Sequence, residues 1–431
     1  MTKKTNIFIK KNANNKYDFL NKVLYGFIER TENPKEGDYY KFGYETFGIV
    51  LYAFCTWMIQ NLRKENISRI LFFSRDGHIM KRAFELFPDA DEFDYDYIYV
   101  SRRSLRVPQL FMDGVNKKEI IVPTRYITVD DLLYSVGLDP NLYLEEIKRA
   151  GLERGQVLKG DSVDKGNVKE LLDNLWPFVL ENSKEEYIAA KCYIDQLNIH
   201  GKVAVVDIGW RGSMQLFLQK MIDNSGGDAK LHGYYITLSS DLIKSQEMRG
   251  FLGNVDNDSD GCDQLRGYIG LIELLFSFND GSAEKYVIDN DTVKVIKHEC
   301  EYKHSEKEFD EVKSIDEIQR GAIDFVRNFI SENEGNQQII DPDEAFAYLD
   351  TFATSPNLKG VEMFEKFTSQ NNGTITRLVE CKTPLYYVLH PNCLKKDLYV
   401  SRWRVGFLKK MFKIILPYKA MFNMLMYVAK R

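Results

Sequence analysis

The middle of the chain contains an acidic residue and a glycine-rich turn that are spaced as in an anion-binding site. Asp207 ends a short β-branched run at residues 203–206, and the turn from Gly209 to Ser213 leads into helical apolar spacing at residues 214–222. Glycines let the backbone approach an anion closely, and the first amides of a helix donate hydrogen bonds to it. The pattern predicts a phosphate-binding turn after a buried parallel strand. As a purely structural alternative, Ser213 would only cap the helix.

Two more predicted strands end in polar residues. The apolar runs at residues 70–74 and 97–100 each stop at an arginine-containing turn. Parallel strands bring their carboxyl ends to one edge of a sheet, and paired arginine forks suit a ligand with more than one phosphate. Any one arginine could instead form a structural ion pair. The predicted ligand-binding residues are Arg75, Asp76, Gly77, Ser101, Arg102, Arg103, Asp207, Gly209, Arg211, Gly212 and Ser213.

The carboxylates in this set carry the same charge as phosphate. Asp76 and Asp207 would repel it unless they contact sugar hydroxyls or hold Mg²⁺, which is the usual arrangement at such sites. Glu273 is a lone carboxylate in an apolar run, and is either a catalytic base or an outward-facing helix residue. Asp94 and Asp96 match the metal-binding Asp-x-Asp of nucleotide-sugar glycosyltransferases, but they precede a predicted strand.

The elements that must position these residues predict an α/β fold with a parallel sheet, a helical insertion and a mostly helical C-terminal region. The sheet and its helices fall in two parts, because helical periodicity dominates between them. A hairpin is predicted at residues 286–297. The predicted units are a first core part at 1–127, an insertion at 128–200 serving as a lid or acceptor platform, a second core part at 201–298, a helical region at 299–398 and a basic segment at 399–431.

Composition excludes several other classes of protein. The six cysteines are far apart and contain no Cys-x-x-Cys pair, which argues for a reducing cytoplasm and against a zinc site. Residues 1–16 are polar and basic, unlike a signal peptide. The most apolar window, residues 47–59, is short for a membrane span and predicts a buried core helix.

The C-terminal segment differs in charge from the rest of an acidic chain. Residues 402–431 hold eight lysines and arginines, interleaved with aromatic residues and methionines, and no acidic residue. Such a helix is typical of an anionic membrane surface or of a partner's groove. The alternative is a C-terminal helix packed on the body of the protein. Nucleic acid fits poorly, because the remaining chain is acidic.

Three motifs resemble a family of bacterial surface-polysaccharide proteins that are themselves similar to phosphoribosyltransferases. In that family the domain often follows a phosphatase of the haloacid dehalogenase type, whose opening Asp-x-Asp motif is missing here. The pair is thought to add 5-phosphoribose from phosphoribosyl pyrophosphate (PRPP) to a glycan and then remove the phosphate. The motifs are Phe72-Phe73-Ser74-Arg75-Asp76-Gly77, Tyr99-Val100-Ser101-Arg102-Arg103 and Val206-Asp207-Ile208-Gly209-Trp210-Arg211-Gly212-Ser213-Met214-Gln215.

The resemblance implies a role for each motif. Asp207 would contact the ribose hydroxyls, and the turn at 209–213 would hold the 5-phosphate. Residues 75–77 would form the pyrophosphate loop, and Arg102 and Arg103 would neutralise the leaving pyrophosphate. In phosphoribosyltransferases generally, two acidic residues precede a longer loop that ends in Thr-Gly-Gly-Thr, whereas Asp207 is single and its loop is shorter.

Taken together, these expectations describe a glycosyltransferase of capsule or O-antigen synthesis that uses PRPP and Mg²⁺. The acceptor would be a saccharide, expected to be lipid-linked, and a separate phosphatase would leave a β-ribofuranose residue. The protein would be cytoplasmic and peripheral to the inner face of the cell membrane. Two alternatives stay open: a nucleotide-sugar glycosyltransferase, and a non-catalytic scaffold of a polysaccharide assembly complex.

Overall fold

A computed structural model describes residues 23–112, 126–159, 163, 165–238, 247–253, 265–290, 292–300, 309–371 and 374–429. The fold is α/β, with a mostly helical C-terminal region, as the sequence predicts. The strands are β1 (Arg69–Phe73), β2 (Asp94–Ile98), β3 (Tyr126–Thr128), β4 (Val157–Lys159), β5 (Lys202–Trp210), β6 (Lys230–Leu238), β7 (Met248–Leu252), β8 (Ala283–Asp289), β9 (Thr292–Lys297), β10 (Thr368–Asn371) and β11 (Thr374–Arg377).

The central sheet has five strands in the order β2-β1-β5-β6-β7, and every neighbouring pair is parallel. Its inner strands β1, β5 and β6 are almost wholly buried, which explains their continuous apolar sequences. The chain leaves β1 toward β2 on one side and later returns to β5 on the other. The order therefore reverses between β1 and β5, and open α/β sheets bind ligands at such a switch point.

Helices cover both faces of this sheet. Ile70, Phe72 and Val206 point into the larger core, where the helices Gly48–Glu65 and Glu311–Glu332 pack. The opposite face carries a smaller core, in which Leu71 and Val205 pack with residues of the helices Gly166–Gln196 and Ser213–Asn224. The helices are Tyr25–Thr31, Asp38–Phe42, Gly43–Phe47 (a π-helix), Gly48–Glu65, Asp76–Phe84, Pro88–Glu92 (3₁₀), Arg102–Gln109, Val129–Ser135, Pro140–Leu142 (3₁₀), Leu144–Arg149, Gly166–Gln196, Ser213–Asn224, Ile269–Phe276, Glu311–Glu332, Pro342–Thr354, Leu358–Phe364, Pro384–Leu389, Pro391–Val400, Arg404–Phe412 and Tyr418–Ala429.

Within the described residues, one helical stretch, Asp38–Glu65, is long and apolar enough to cross a membrane. The most apolar window of this stretch is 94% buried inside the fold. The prediction of a buried core helix around residues 47–59 is confirmed, because Val50, Phe54 and Met58 belong to the larger core.

The helical insertion between β2 and β5 has a core of its own. Leu132, Ile147 and Leu175 pack together there, and the two-stranded antiparallel sheet of β3 and β4 adds Leu158 to the same core. The long helix Gly166–Gln196 begins in this small core and ends against the sheet, where Ile194 joins the core of the second face. This helix, together with Arg102–Gln109, which has Val107 in the small core and Leu105 in the core of the second face, joins the insertion to the sheet.

Two strand boundaries differ from the sequence prediction. β2 begins at Asp94 rather than Tyr97, because Asp94 and Asp96 already pair with Arg69 and Leu71 of β1 in the parallel sheet, and Arg69 also forms ion pairs with both aspartates. β5 continues past Asp207 to Trp210, pairing Gly209 with Thr237 on β6. The predicted hairpin is confirmed as β8 and β9.

Candidate functional site

Asp207 lies on β5 near the switch point and is the buried acidic group of the predicted site. The residue is only 4% exposed, and its Oδ1 atom has no hydrogen-bond partner within the described residues. Burial raises the pKa of Asp207 to about 6, against the opposing effects of the Ile208 and Gly209 amides and of the positive charges of Arg102 and Arg75. An unpartnered carboxylate oxygen in a buried position costs free energy. The arrangement suits a group that binds a hydroxyl or a cation.

Arg75 follows the adjacent strand β1 in a strained backbone conformation. Its φ of 70° and ψ of −84° are rare for a residue with a side chain, and its amide donates a 2.8 Å hydrogen bond to the Tyr97 hydroxyl. Trp210, at the end of β5, also has a positive φ, 68°. Such conformations cost about 1–3 kcal/mol each and concentrate at functional sites. Both strained residues stand where the two central strands end.

Steric contacts fix the glycine turn after Asp207. Gly209 has a φ of 109°, and a Cβ there would lie 2.1 Å from the Thr237 carbonyl oxygen. Gly212 has a φ of 59° and is the N-cap of the helix Ser213–Asn224. No side chain caps this helix, so the alternative that Ser213 is a cap is wrong. Arg211 is exposed at the end of the strand.

Asp76 and Gly77 bring the first motif against the strand that carries Asp207. Asp76 begins the helix Asp76–Phe84, and a Cβ at Gly77 would come within 3.3 Å of the Val206 carbonyl oxygen. Glycine therefore allows the turn after β1 to lie directly on β5. The structure brings the first and third motifs together, as the parallel-sheet argument predicts.

The second motif divides between the site and the scaffold. Arg102 is exposed, and its charge acts on Asp207. Arg103 donates hydrogen bonds of 2.7 and 3.0 Å to the Glu186 carboxylate and one of 2.8 Å to the Glu284 carbonyl. The sequence predicted that both arginines bind the ligand. Arg103 instead pairs with Glu186 on the long insertion helix, whereas Arg102 is exposed. Sequence alone could not identify Glu186 as its partner.

Ser101 also has a structural role. Its hydroxyl accepts a 3.0 Å hydrogen bond from the Ser104 amide and donates a 2.6 Å hydrogen bond to the Ala283 carbonyl. The Ser101 amide donates a 2.9 Å hydrogen bond to the Ser104 hydroxyl, which completes a capping box. Ser101 thus starts the arginine-bearing helix and links it to β8.

Glu273, on the helix Ile269–Phe276, forms an ion pair with Arg402. The Gly270 amide also donates a 3.1 Å hydrogen bond to the Arg402 carbonyl. These contacts tie the helix to the start of the C-terminal segment. They give Glu273 a structural partner, and nothing in them places its carboxylate beside Asp207.

Residues that the motifs did not include also lie at the end of β1. The ring of His78 stacks on Phe278 with centroids 3.6 Å apart, and burial lowers the pKa of His78 to about 4. Asp280, in the same loop as Phe278, accepts a 2.9 Å hydrogen bond from Lys297. This loop therefore lies against the start of the helix that follows β1. Its sequence gives no periodic signal, and only the run of polar residues after the helix marked it.

The donor set fits a substrate-bridged magnesium ion better than a resident metal. No group of three or more metal-ligating side chains occurs in the described parts of the chain. Asp207 offers a buried oxygen without a partner, and Asp76 opens the neighbouring helix. Magnesium often binds to one or two carboxylates and completes its shell with substrate phosphates and water. Asp76 and Asp207 are therefore the residues that would hold it.

No known family model matches this sequence, and no curated protein matches it. The residues of the crevice therefore have to support a functional assignment by their own chemistry.

Proposed function

We propose that the protein transfers a 5-phosphoribosyl group from PRPP to a saccharide acceptor. The observation that carries the proposal is the Asp207 carboxylate, buried with one oxygen unpartnered and within the electrostatic reach of Arg75 and Arg102. An acidic group between cations suits a ligand that has both hydroxyls and phosphates. PRPP combines a ribose with a phosphate at one end and a pyrophosphate at the other.

In the proposed reaction, the bond between the anomeric carbon and the pyrophosphate oxygen breaks as the acceptor hydroxyl forms a new bond from the opposite face. Pyrophosphate leaves with the bonding electron pair, and the acceptor hydroxyl passes its proton to the departing pyrophosphate or to water. Arg75 and Arg102 would stabilise the negative charge that develops on the leaving group, which is commonly the largest catalytic contribution. Magnesium, when bound, would neutralise further phosphate charge.

His78 is poorly suited to act at neutral pH as the base that takes the proton of the acceptor hydroxyl. Its pKa near 4 leaves the ring neutral, and stacking on Phe278 fixes its plane. The neutral ring would be a weak base toward a sugar hydroxyl. Asp207 would act instead by binding the ribose hydroxyls of the donor.

The exposed surface near the C-terminus supports a membrane-bound acceptor. Much of the basic segment packs on the body, since Trp403 is buried and Lys410 pairs with Glu365. An apolar tip nevertheless remains in solvent, and we define it by Leu385, Val388, Leu389, Ile414 and Ile415.

The tip has the charge pattern of an interfacial surface. Lys382, Lys395, Lys396 and Lys413 are exposed near it in sequence. The centroid of the Tyr387 ring lies 5.9 Å from that of Phe407, so the helices Pro384–Leu389 and Arg404–Phe412 touch at this pair. Apolar side chains among lysines are attracted to anionic lipid. A lipid-linked saccharide would then be presented to a protein docked peripherally on the membrane, at its cytoplasmic face.

The nucleotide-sugar alternative has less support from the fold. Asp94 and Asp96 lie at the amino end of β2 and pair with Arg69, whereas Asp207 lies toward the carboxyl edge of the sheet. A metal-binding Asp-x-Asp would have to be near the donor phosphates. The scaffold alternative leaves the buried, unpartnered oxygen of Asp207 without a purpose.

Thermal unfolding with added ligands tests the proposal directly. We expect PRPP with Mg²⁺ to raise the melting temperature of the wild-type protein, because a ligand that binds only the folded state stabilises it. UDP-sugars and ribose 5-phosphate should give smaller shifts. Asp207→Asn should lose the PRPP shift, and Asp94→Asn is the matched control that keeps it. A shift with UDP-sugars alone, or with no ligand, would reject the proposal.

A further inference from the structure

Arg106 is a half-buried cation that the sequence motifs did not include. It follows Arg102 by four residues on the helix Arg102–Gln109, so the two side chains leave the same face one turn apart. Its Nη2 atom donates a 3.2 Å hydrogen bond to the Ser135 carbonyl, at the end of the insertion helix Val129–Ser135. Arg106 therefore lies where the sheet edge meets the insertion.

In the parts of the chain that the structure describes, no carboxylate neutralises the charge of Arg106. Its Nε atom is buried without a hydrogen-bond partner among the described residues. The neighbouring Arg103 has Glu186 as its counter-ion. Burial, together with the charges of Arg102 and Arg103, lowers the pKa of Arg106 to about 10. Arg106, with its Nε atom buried and the charges of Arg102 and Arg103 acting on it, would be stabilised by an anion.

We propose that Arg102 and Arg106 form an anion subsite that binds a phosphate or pyrophosphate group at the junction between the sheet edge and the helical insertion. The subsite deepens the proposed function and rests on it in one respect, because the group it holds would be the pyrophosphate of the donor. Arg106 takes the place that the sequence assigned to Arg103. Arg102 links the two parts of the site, since its charge acts on both Asp207 and Arg106.

A role for the insertion follows from this position. The Ser135 carbonyl orients Arg106, so the insertion would set the position of the Arg106 guanidinium relative to Arg102. The anion would then contact two arginines of one helix, and the insertion would act through the carbonyl that orients Arg106. This arrangement gives the insertion a part in holding the ligand, in addition to covering the sheet.

Calorimetric titration of the full-length protein with inorganic pyrophosphate, and separately with orthophosphate, tests the subsite. We expect pyrophosphate to bind the wild-type protein more tightly than orthophosphate. Arg106→Gln should weaken pyrophosphate binding about tenfold or more, because a charge-assisted hydrogen bond is worth about 1.5–3 kcal/mol. Arg106→Lys should recover part of the loss. Arg154→Gln, which removes an exposed ion pair with Asp130 on the same insertion, should bind like the wild type.

The outcomes separate the subsite from the proposed function. Absence of pyrophosphate binding to the wild type, or equal affinity in the wild type and Arg106→Gln, overturns the subsite. A lower melting temperature with unchanged affinity does the same, because it shows a purely structural arginine. Arg106-dependent pyrophosphate binding without any response to PRPP would leave the subsite standing and remove the phosphoribosyl donor.

Discussion

Arg103 and Glu186 form a two-pronged ion pair in which the arginine side chain is 11% exposed and the glutamate side chain 5%. The pair joins the helix that follows β2 to the middle of the long insertion helix. Arg102, the preceding residue in the sequence, is exposed at the crevice instead. Two adjacent arginines therefore have different tasks.

Substitution of the two arginines should affect different properties: Arg103 should determine stability, and Arg102 should determine ligand binding. Arg103→Gln leaves Glu186 buried without its partner, and we expect a loss of about 3 kcal/mol or more in the free energy of unfolding. Arg102→Gln should change stability little and weaken binding of PRPP. Denaturant unfolding and PRPP titration of both variants check the contrast. The double variant Arg103→Met with Glu186→Leu should recover much of the lost stability. Equal effects of the two single variants on stability would contradict the assignment.

Asp207→Asn should stabilise the ligand-free protein above pH 6. The pKa of Asp207 is raised from its ordinary 3.8 to about 6 in the folded state. The stability this group contributes is therefore fully present below pH 4 and lost as pH rises through 6. Because one pKa unit corresponds to about 1.4 kcal/mol, the gain at pH 7.5 is at most about 3 kcal/mol.

The measurement is denaturant unfolding of Asp207→Asn and wild-type protein at pH 4 and pH 7.5. The difference between them should appear only at the higher pH, while the PRPP response disappears in the variant. A variant that is less stable than the wild type at pH 7.5 would show that the carboxylate has a structural partner.

Gly209→Ala tests whether the turn after Asp207 is fixed by sterics. The new Cβ would meet the Thr237 carbonyl oxygen at 2.1 Å in a left-handed conformation, so the strand pairing between β5 and β6 must shift. We expect a loss of several kcal/mol, on the order of the largest single-residue effects. Gly226→Ala is the matched control, because it has a φ of 79° and open space around the new Cβ. It should cost only about 1 kcal/mol. Comparable melting temperatures for the two variants would refute the steric argument.

The apolar tip should determine binding to lipid. The side chain at residue 415 is 95% exposed and that at residue 388 is 76% exposed. Replacing both Val388 and Ile415 with Glu should reduce sedimentation with vesicles that contain anionic lipid, with little change in melting temperature. Phe178→Glu is the control, an exposed apolar residue on the insertion helix. Binding that survives the tip variant and fails in the control would place the membrane contact elsewhere.

The sequence predicted the elements whose signals are local. The β-branched run before Asp207, the helix after it and the hairpin of β8 and β9 follow from periodicity and turn residues, and the structure confirms them. The parallel arrangement also followed, because strands alternate with helices.

Partners that are distant in the chain could not be predicted in the same way. The sequence predicted Arg103 as a ligand-binding residue and Glu273 as a catalytic base or an outward-facing residue, but it could not indicate their ion-pair partners Glu186 and Arg402. Arg106 gave no motif, because its position depends on the packing of the insertion against the helix that carries it. Side-chain partnerships of this kind are set by tertiary contacts rather than by propensity. The ligand and the acceptor stay predictions.

The insertion between β2 and β5 also affects how the protein is made. Arg69 on β1 pairs with Val203 on β5, and the whole insertion is synthesised between them. The sheet cannot close around its central pair until β5 has left the ribosome, and contacts this distant in sequence slow folding. Until then, β1 exposes an apolar edge that favours aggregation. Chains that stop before β5 should therefore be insoluble and depend on chaperones, while the crevice forms late in synthesis.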